Sequence, residues 1–523
     1  MSVRRWRACM GRGILGIVAL LSFLLLTSCA IRDLEVTPID TTSTEPITVN
    51  SPVKAHLTDG STVVFEKGVT VVDGHVTGEG RKYDVTLDTS VRVSSVALDD
   101  VAAMESYGTP VQLGQTAAIN VAAAPFAALG GLILLVALFG SCPTTYAVVD
   151  GPPILEAESF SYSIASSFEA RDVDRLNVPT GDRDTVELIV RNEALETHYI
   201  DQLELLEVVH DVGRTIVPDA KGQVLEVGTL NSAIMARDSS HRSILGALVS
   251  PDGSSWSSGS AALRRASLDN FDDHVDLTFD APRHSEKVAL VFRLRNTLLN
   301  TVLLYDVMLK DQGFQALDWL GHDLNQFIDK AKLGLWYRDR MGMRVSVWEN
   351  GEFREVARIG DQGPIAWKDV AVTLPVPETQ KMRVRLSFVV DNWHIDWVAI
   401  SPEVRRADVR TVPLARLDIP NMGVLKEATK NLSLSDQKYV VTRPGDALHI
   451  GFDVGSAPEG RTRTFLMAAE GYYIEWMRRD WLSETPKEPF KPSDEALMRA
   501  IRLWEAKRET FQKQFESTRI AGQ

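Results

Sequence analysis

Apolar and polar positions alternate with a period of two over most of the chain, and this predicts short β-strands. Val53-Lys54-Ala55-His56-Leu57 alternates and runs into Asp59-Gly60, a hairpin-type turn. Thr62 to Phe65, Val69 to Val72, His75-Val76 and Val91 to Val96 follow, and the spacing predicts a small β-barrel over 53–107. Strands resume at Cys142 to Val149, ending in a turn at Asp150-Gly151, then at Val186 to Asn192 and Tyr199 to Val209, with a turn at Pro218-Asp219 and Lys221-Gly222, giving a β domain over 142–250. A Ser/Gly-rich loop over 250–262 leads into Val275 to Phe279, Lys287 to Arg295, Thr301 to Lys310, Arg344 to Trp348, Asp369 to Leu374 and Met382 to Val390. Leu317 to Ala331 interrupts them at helical spacing, so 263–402 reads as a β-sandwich with one inserted helix. Residues 403–523 read as a small β domain closed by a helix over Ser493 to Glu516. Ser493 is its N-cap, and Leu497, Ile501, Trp504, Phe511 and Phe515 share one face.

Two segments have no such alternation. Arg4, Arg5, Arg7 and Arg12 precede an apolar run from Ile14 to Leu26, which ends in Leu26-Thr27-Ser28-Cys29. The run has the length of a signal-peptide core and is too short to span a bilayer. The four residues resemble the lipobox of bacterial lipoproteins. That resemblance implies a signal peptide over 1–28, a lipidated Cys29 as mature N-terminus, and, with Ala30 following, an outer-membrane destination in a diderm host. Residues 29–52, rich in Thr and Pro, then read as a tether. The second segment lies within 116–141: Ala118 to Gly140, about 23 residues without a charge, is long enough to cross a membrane as a helix. Gly130-Gly131 at its middle would permit close helix contact.

Charge narrows the partners. The net charge of the 523 residues is −14, and loss of the four signal arginines takes it to about −18. Nucleic acid is excluded, since phosphate neutralisation needs clustered Lys and Arg. Membrane attachment must be hydrophobic, through Cys29 and residues 118–140. Of Cys9, Cys29 and Cys142, only Cys142 remains as a free thiol after processing and lipidation, so no internal disulfide is expected.

Motifs for catalysis are absent from the sequence: no Gly-x-Ser-x-Gly elbow, phosphate loop, His-Glu-x-x-His or dinucleotide fingerprint occurs. His210-Asp211 and Asp272-Asp273-His274 read as solvated loop residues rather than metal ligands. Cys142, with no basic neighbour in sequence, reads as a small buried residue at the start of a strand. No cofactor and no metal are expected, and no enzymatic activity.

Aromatic residues supply the one functional signal. Trp336, Trp348, Trp367, Trp393 and Trp397 are five of the eleven tryptophans. The run Met382-Arg-Val-Arg-Leu-Ser-Phe-Val-Val-Asp-Asn-Trp393-His-Ile-Asp396-Trp397 resembles the closing strands of galactose-binding-like jelly rolls. Leu57 to Phe65 resembles the first hairpin of Sm-like or SH3-like barrels. The block from Cys142 to about Leu230 resembles uncharacterised bacterial envelope proteins, a likeness that brings no activity with it. The jelly-roll resemblance implies a sandwich with a glycan or protein ligand, and makes Trp393 and Trp397 the candidate ligand-binding residues. The chain is thus expected to be a mainly β, lipid-anchored envelope protein with a binding or scaffolding role. The alternative is an assembly component of an envelope complex, and an uncharacterised hydrolase is the remaining class.

Overall fold

The computed structural model describes residues 46–106 and 142–517, with short breaks inside each range. Cys29 and the segment 118–140 lie outside the described residues. No helix among the described residues is long and apolar enough to cross a membrane.

The N-terminal strands form a seven-stranded sheet. Its order is Ile47–Val49, Val69–Val72, His75–Tyr83, Thr62–Phe65, Val53–Leu57, Val101–Ser106, with Ser90–Ala97 also on His75–Tyr83. The barrel expected over 53–107 is therefore an open sheet. The long strand His75–Tyr83 serves Val69–Val72 with one half and Thr62–Phe65 with the other, and its register against Ser90–Ala97 breaks between Thr77 and Gly80. Gly80 makes this bend sterically accessible, because a Cβ there would lie 2.7 Å from the Phe65 ring. A turn at Leu98–Asp100 carries the chain to Val101–Ser106, which pairs with Val53–Leu57 and leaves the sheet unclosed.

The segments expected as separate domains over 142–250 and 403–523 fold together. Glu196–His210 pairs along its whole length with Thr462–Glu475, and Thr185–Arg191 pairs with Ala447–Asp453. These pairings sit in a five-stranded and a six-stranded sheet, which enclose Leu188, Ile200, Leu205, Ile450, Phe452, Phe465 and Met467. Because each strand hides one face, a partner of matching register must be found, and here it comes from the far end of the chain.

A second sandwich is inserted between those halves. Its four-stranded sheet runs Asn231–Ser232, Trp393–Ser401, Lys287–Asn296, Lys368–Pro375. Its five-stranded sheet runs Met235–Asp238, Asp272–Asp280, Lys381–Val389, Met343–Glu349, Glu352–Ile359. Leu277, Phe279, Leu290, Phe292, Val347, Leu386 and Phe388 fill the space between them. Asn350 and Gly351, both at positive φ, make the tight hairpin between the last two strands. A three-stranded sheet, Thr215–Pro218, Val224–Val227 and Val404–Arg406, lies where the chain enters and leaves the insert.

The inserted helix is larger than the sequence pattern predicts. From Leu299 to Met341 the chain is almost continuously helical, with π-helical stretches at Leu303–Leu309 and Trp319–Asp323. Thr301 to Lys310 is thus helix and not strand. Leu303, Leu304, Val307, Met308 and Leu309 are all buried, and an apolar run hidden on every side has no period by which to tell the two apart. The C-terminal helix Asp494–Ser517 packs on this excursion through Leu497, Ile501 and Trp504. Ser493 caps it, its Oγ accepting from the Ala496 amide at 3.2 Å.

Candidate functional site

Trp393 and Trp397 share the strand Trp393–Ser401 but not a surface. Trp393 is fully enclosed in the core between the inserted sheets. It offers no face to a ligand, which corrects its candidacy for stacking. A bulge opposite Arg293/Leu294 shifts the alternation, so Trp397 turns to the other side of the sheet. There it is half-buried against Val217, Leu225 and Val227 of the three-stranded sheet. The bulge residue, Asp396, is itself buried and accepts from the Gly253 amide at 2.9 Å.

The densest polar cluster is buried where the two sandwiches meet. Its centre is the loop Gly360 to Trp367, between the strands Glu352–Ile359 and Lys368–Pro375. Glu158 of the outer sandwich accepts from the amides of Ile365 (2.6 Å) and Ala366 (3.0 Å) and from the Cys142 thiol (2.9 Å). Gly363 lies against it at a φ of 79°, and a Cβ there would come within 2.5 Å of the Glu158 carboxyl carbon. Only glycine fits this contact. Asp361 accepts from Tyr337 at 2.6 Å and from Asn300. Lys368 reaches Asp172 at 2.5 Å and Asp174 at 2.9 Å across the junction, and Arg175 reaches Asp369 at 2.8 Å.

Desolvation dominates the electrostatics of this cluster. Burial pushes Glu158 up to about 7, against the lowering effects of its hydrogen bonds and of Lys368. Burial and the negative fields of Glu158 and Glu196 push the Cys142 thiol up, so it stays protonated. A protonated, buried thiol is a poor nucleophile. Burial holds His198 neutral, down at about 3, with its Nε2 2.8 Å from Glu196. His210 is not solvated as expected: it is buried at the end of its strand, with Nε2 2.9 Å from the Thr464 hydroxyl. Asp273 is buried too, and its carboxylate accepts from the His274 amide at 2.8 Å. Among the described residues no group of three His, Cys, Asp or Glu side chains is arranged to hold a metal ion.

A raised carboxyl pKa has a definite consequence for stability. The folded state holds the Glu158 proton where the unfolded chain has released it, between pH 4.5 and about 7. Glu158 therefore contributes stability below that window, and the contribution is lost as pH rises through it. We expect Glu158→Gln to flatten this part of the stability profile, since an amide oxygen still accepts from Ile365 and Ala366. Thermal unfolding of both proteins from pH 4 to 8 checks this; parallel profiles would count against it.

The exposed chemistry lies elsewhere, on the outer face of the five-stranded sheet of the insert. Met343, Val345 and Val347 point inward, so Arg344 and Trp348, both half-buried, lie on the outer face. Met382, Val384, Leu386 and Phe388 likewise send Arg383 and Arg385 outward. Trp348 and Phe353 are cross-strand partners with ring centroids 4.9 Å apart. The Arg383 guanidinium lies 4.4 Å from the Trp348 ring centroid and 5.4 Å from that of Phe353, and the Arg385 guanidinium lies 4.2 Å from that of Phe353. Trp348 stood among the five clustered tryptophans, and strict alternation in Met343–Glu349 already places it outside. That alternation, applied to each tryptophan in turn, is the signal that separates it from Trp393.

No family model matches the sequence, and no curated protein matches it. Several solved structures align, all loosely. A GH31 α-xylosidase from Xanthomonas citri aligns at 9% identity over 82% of this chain and 38% of its own, with a TM-score of 0.15. An allantoicase aligns at 10% over 51% of this chain and 92% of its own, with a TM-score of 0.16. The Sulfolobus turreted icosahedral virus aligns at 8% over 64% of this chain and 89% of its own, with a TM-score of 0.12. The chain spans 38% of the α-xylosidase's length, and alignments this loose carry no argument about activity. The architecture stands on its own strands: mainly β, in several sheets that pack as sandwiches.

Proposed function

We propose that this chain is a lipid-anchored cell-envelope protein that binds or scaffolds a partner without chemically transforming it. The observation that carries the reading is the division of labour between charges. Buried ionisable groups near the junction are tied to amides and to one another, whereas the exposed Arg383 and the half-buried Trp348, Phe353 and Arg385 form one surface. The first set holds the sandwiches together; the second is available to a glycan or protein ligand. Cys29 supplies the anchor, and residues 118–140 add a second apolar attachment to the bilayer.

A scaffolding role within a larger envelope assembly is the second reading. It is favoured by the way the N-terminal sheet is fixed to the outer sandwich: Lys54 donates to the Glu475 carbonyl at 3.3 Å, and His56 stacks on Trp476 at 4.0 Å. Metabolic labelling with a fatty-acid probe tests the anchor. Label is expected on the wild type and absent from Cys29→Ser, and equal labelling of the two would end the proposal. Carbonate extraction of C29S then tests the second attachment: retention in the pellet is expected, and full release removes residues 118–140 from the account.

A further inference from the structure

The outer face of the inserted sheet carries a cross-strand ladder with one rung missing. Lys381, Arg383 and Arg385 project from Lys381–Val389 and face Asp280, Thr278 and Asp276 on Asp272–Asp280. Lys381 pairs with Asp280 at 2.5 Å, and Arg385 pairs with Asp276 through two hydrogen bonds of 2.7 and 2.8 Å. Next to them, Arg344 pairs with Asp272 at 2.5 Å. Arg383 meets a threonine instead of an acid, and among the described residues it makes no ion pair. It is exposed, yet its guanidinium carbon lies over the Trp348 and Phe353 rings, at 4.4 and 5.4 Å from their centroids. An exposed guanidinium that lies over aromatic rings and has no ion-pair partner among the described residues is placed to take an oxyanion in the two-pronged manner of arginine.

We propose that Arg383 and Trp348 form a binding site for a carboxylated sugar, a uronic-acid residue of an acidic polysaccharide. This deepens the binding reading above and rests on it. The guanidinium takes the carboxylate, and the exposed part of the indole takes the apolar C–H face of the pyranose ring. An acidic peptide fits less well. Lys381–Val389 is paired on both sides, with Asp272–Asp280 and Met343–Glu349, so no strand can be added there. The net charge of −14 opposes general attraction of polyanions, so binding of one must come from a local site.

The test uses the full-length chain in detergent, titrated with polygalacturonate, neutral dextran, dextran sulfate and poly-L-glutamate at low salt. Polygalacturonate is expected to bind and dextran not. Arg383→Gln and Trp348→Ala are each expected to weaken polygalacturonate binding by about tenfold or more, with thermal unfolding unchanged in R383Q. Arg344→Gln, which removes an already paired arginine from the same face, is expected to bind as the wild type does. Absence of polygalacturonate binding, equal binding by R383Q, or equal loss in R344Q would overturn the site. Tighter binding of dextran sulfate would replace the carboxylate by a sulfate ester and overturn the uronate assignment. Tighter binding of poly-L-glutamate would overturn the glycan in favour of an acidic protein. Fatty-acid labelling at Cys29 is independent of every arm, so failure of the anchor and failure of the site are read separately.

Discussion

Lys368→Met is expected to destabilise the protein by about 3–5 kcal/mol, the range for removing one partner from a buried charge group. Lys368 is buried and supplies the ammonium between Asp172 and Asp174, which project from Ala170–Arg175 of the outer sandwich. The lysine opens the strand Lys368–Pro375 of the insert, so this group joins the two sandwiches. With methionine in its place, Asp172 and Asp174 face each other without a counter-charge at a largely buried junction. Burial and the neighbouring Asp172 already raise Asp174 well above the ordinary aspartate value, even with the lysine present. One acid is therefore in excess of what the lysine compensates. It follows that Asp174→Asn alone is mild and that K368M/D174N recovers part of the K368M loss. Urea titrations of the four proteins check this. A loss below about 1 kcal/mol in K368M, the ordinary value for an exposed pair, would refute the junction as described.

Trp504→Ala is expected to cost a similar ~3–5 kcal/mol, the usual range for emptying a buried aromatic site. Trp504 is fully buried between the C-terminal helix and the helical excursion of the insert, and its Nε1 donates to Asp391 at 2.9 Å. Asp391 also receives Arg508 Nε at 2.6 Å and the Gly259 amide at 2.9 Å, so one carboxylate fastens the helix to two loops of the insert. Trp504→Phe keeps most of the apolar contact and loses the hydrogen bond, for an expected cost of about 1–2 kcal/mol. The two variants separate packing from polar fastening in the same titration. Equal costs would mean that the bond to Asp391 carries the whole effect.

Much of the fold was legible in the sequence because period and burial are coupled locally. The strand Lys381–Val389 shows its inward set, Met382, Val384, Leu386 and Phe388, without reference to any other part of the chain. The helix Asp494–Ser517 likewise announces itself through its cap and its Leu497–Ile501–Trp504 stripe. Pairing partners are another matter. Alternation in Glu196–His210 requires a neighbour on each side but does not specify Thr462–Glu475. The separate β domains expected over 142–250 and 403–523 are therefore a single outer sandwich assembled from distant segments. The candidate site was half legible. The two candidate tryptophans share a strand, but Trp393 lies in the core and a bulge turns the half-buried Trp397 to the other side of the sheet. The empty rung at Arg383 exists only once Thr278 is known to be its partner. Asp172 and Asp174 lie two residues apart on one strand face, and the lysine between them comes from a different sandwich, so no local pattern marks the group.

The nesting of one sandwich inside the other sets an order on folding. As the chain grows from its N-terminus, Glu196–His210 is made long before Thr462–Glu475, the strand that covers its edge. The insert has all its strands by Ser401 and is free to close first. Until then the outer half-sheets present unpaired backbone and one apolar face, the state most open to association with other chains. Such distant pairing also slows the final closure, since a long loop must be brought together before its contacts form. A chain interrupted after Ser401 would hold a finished inner sandwich beside an outer one that cannot close.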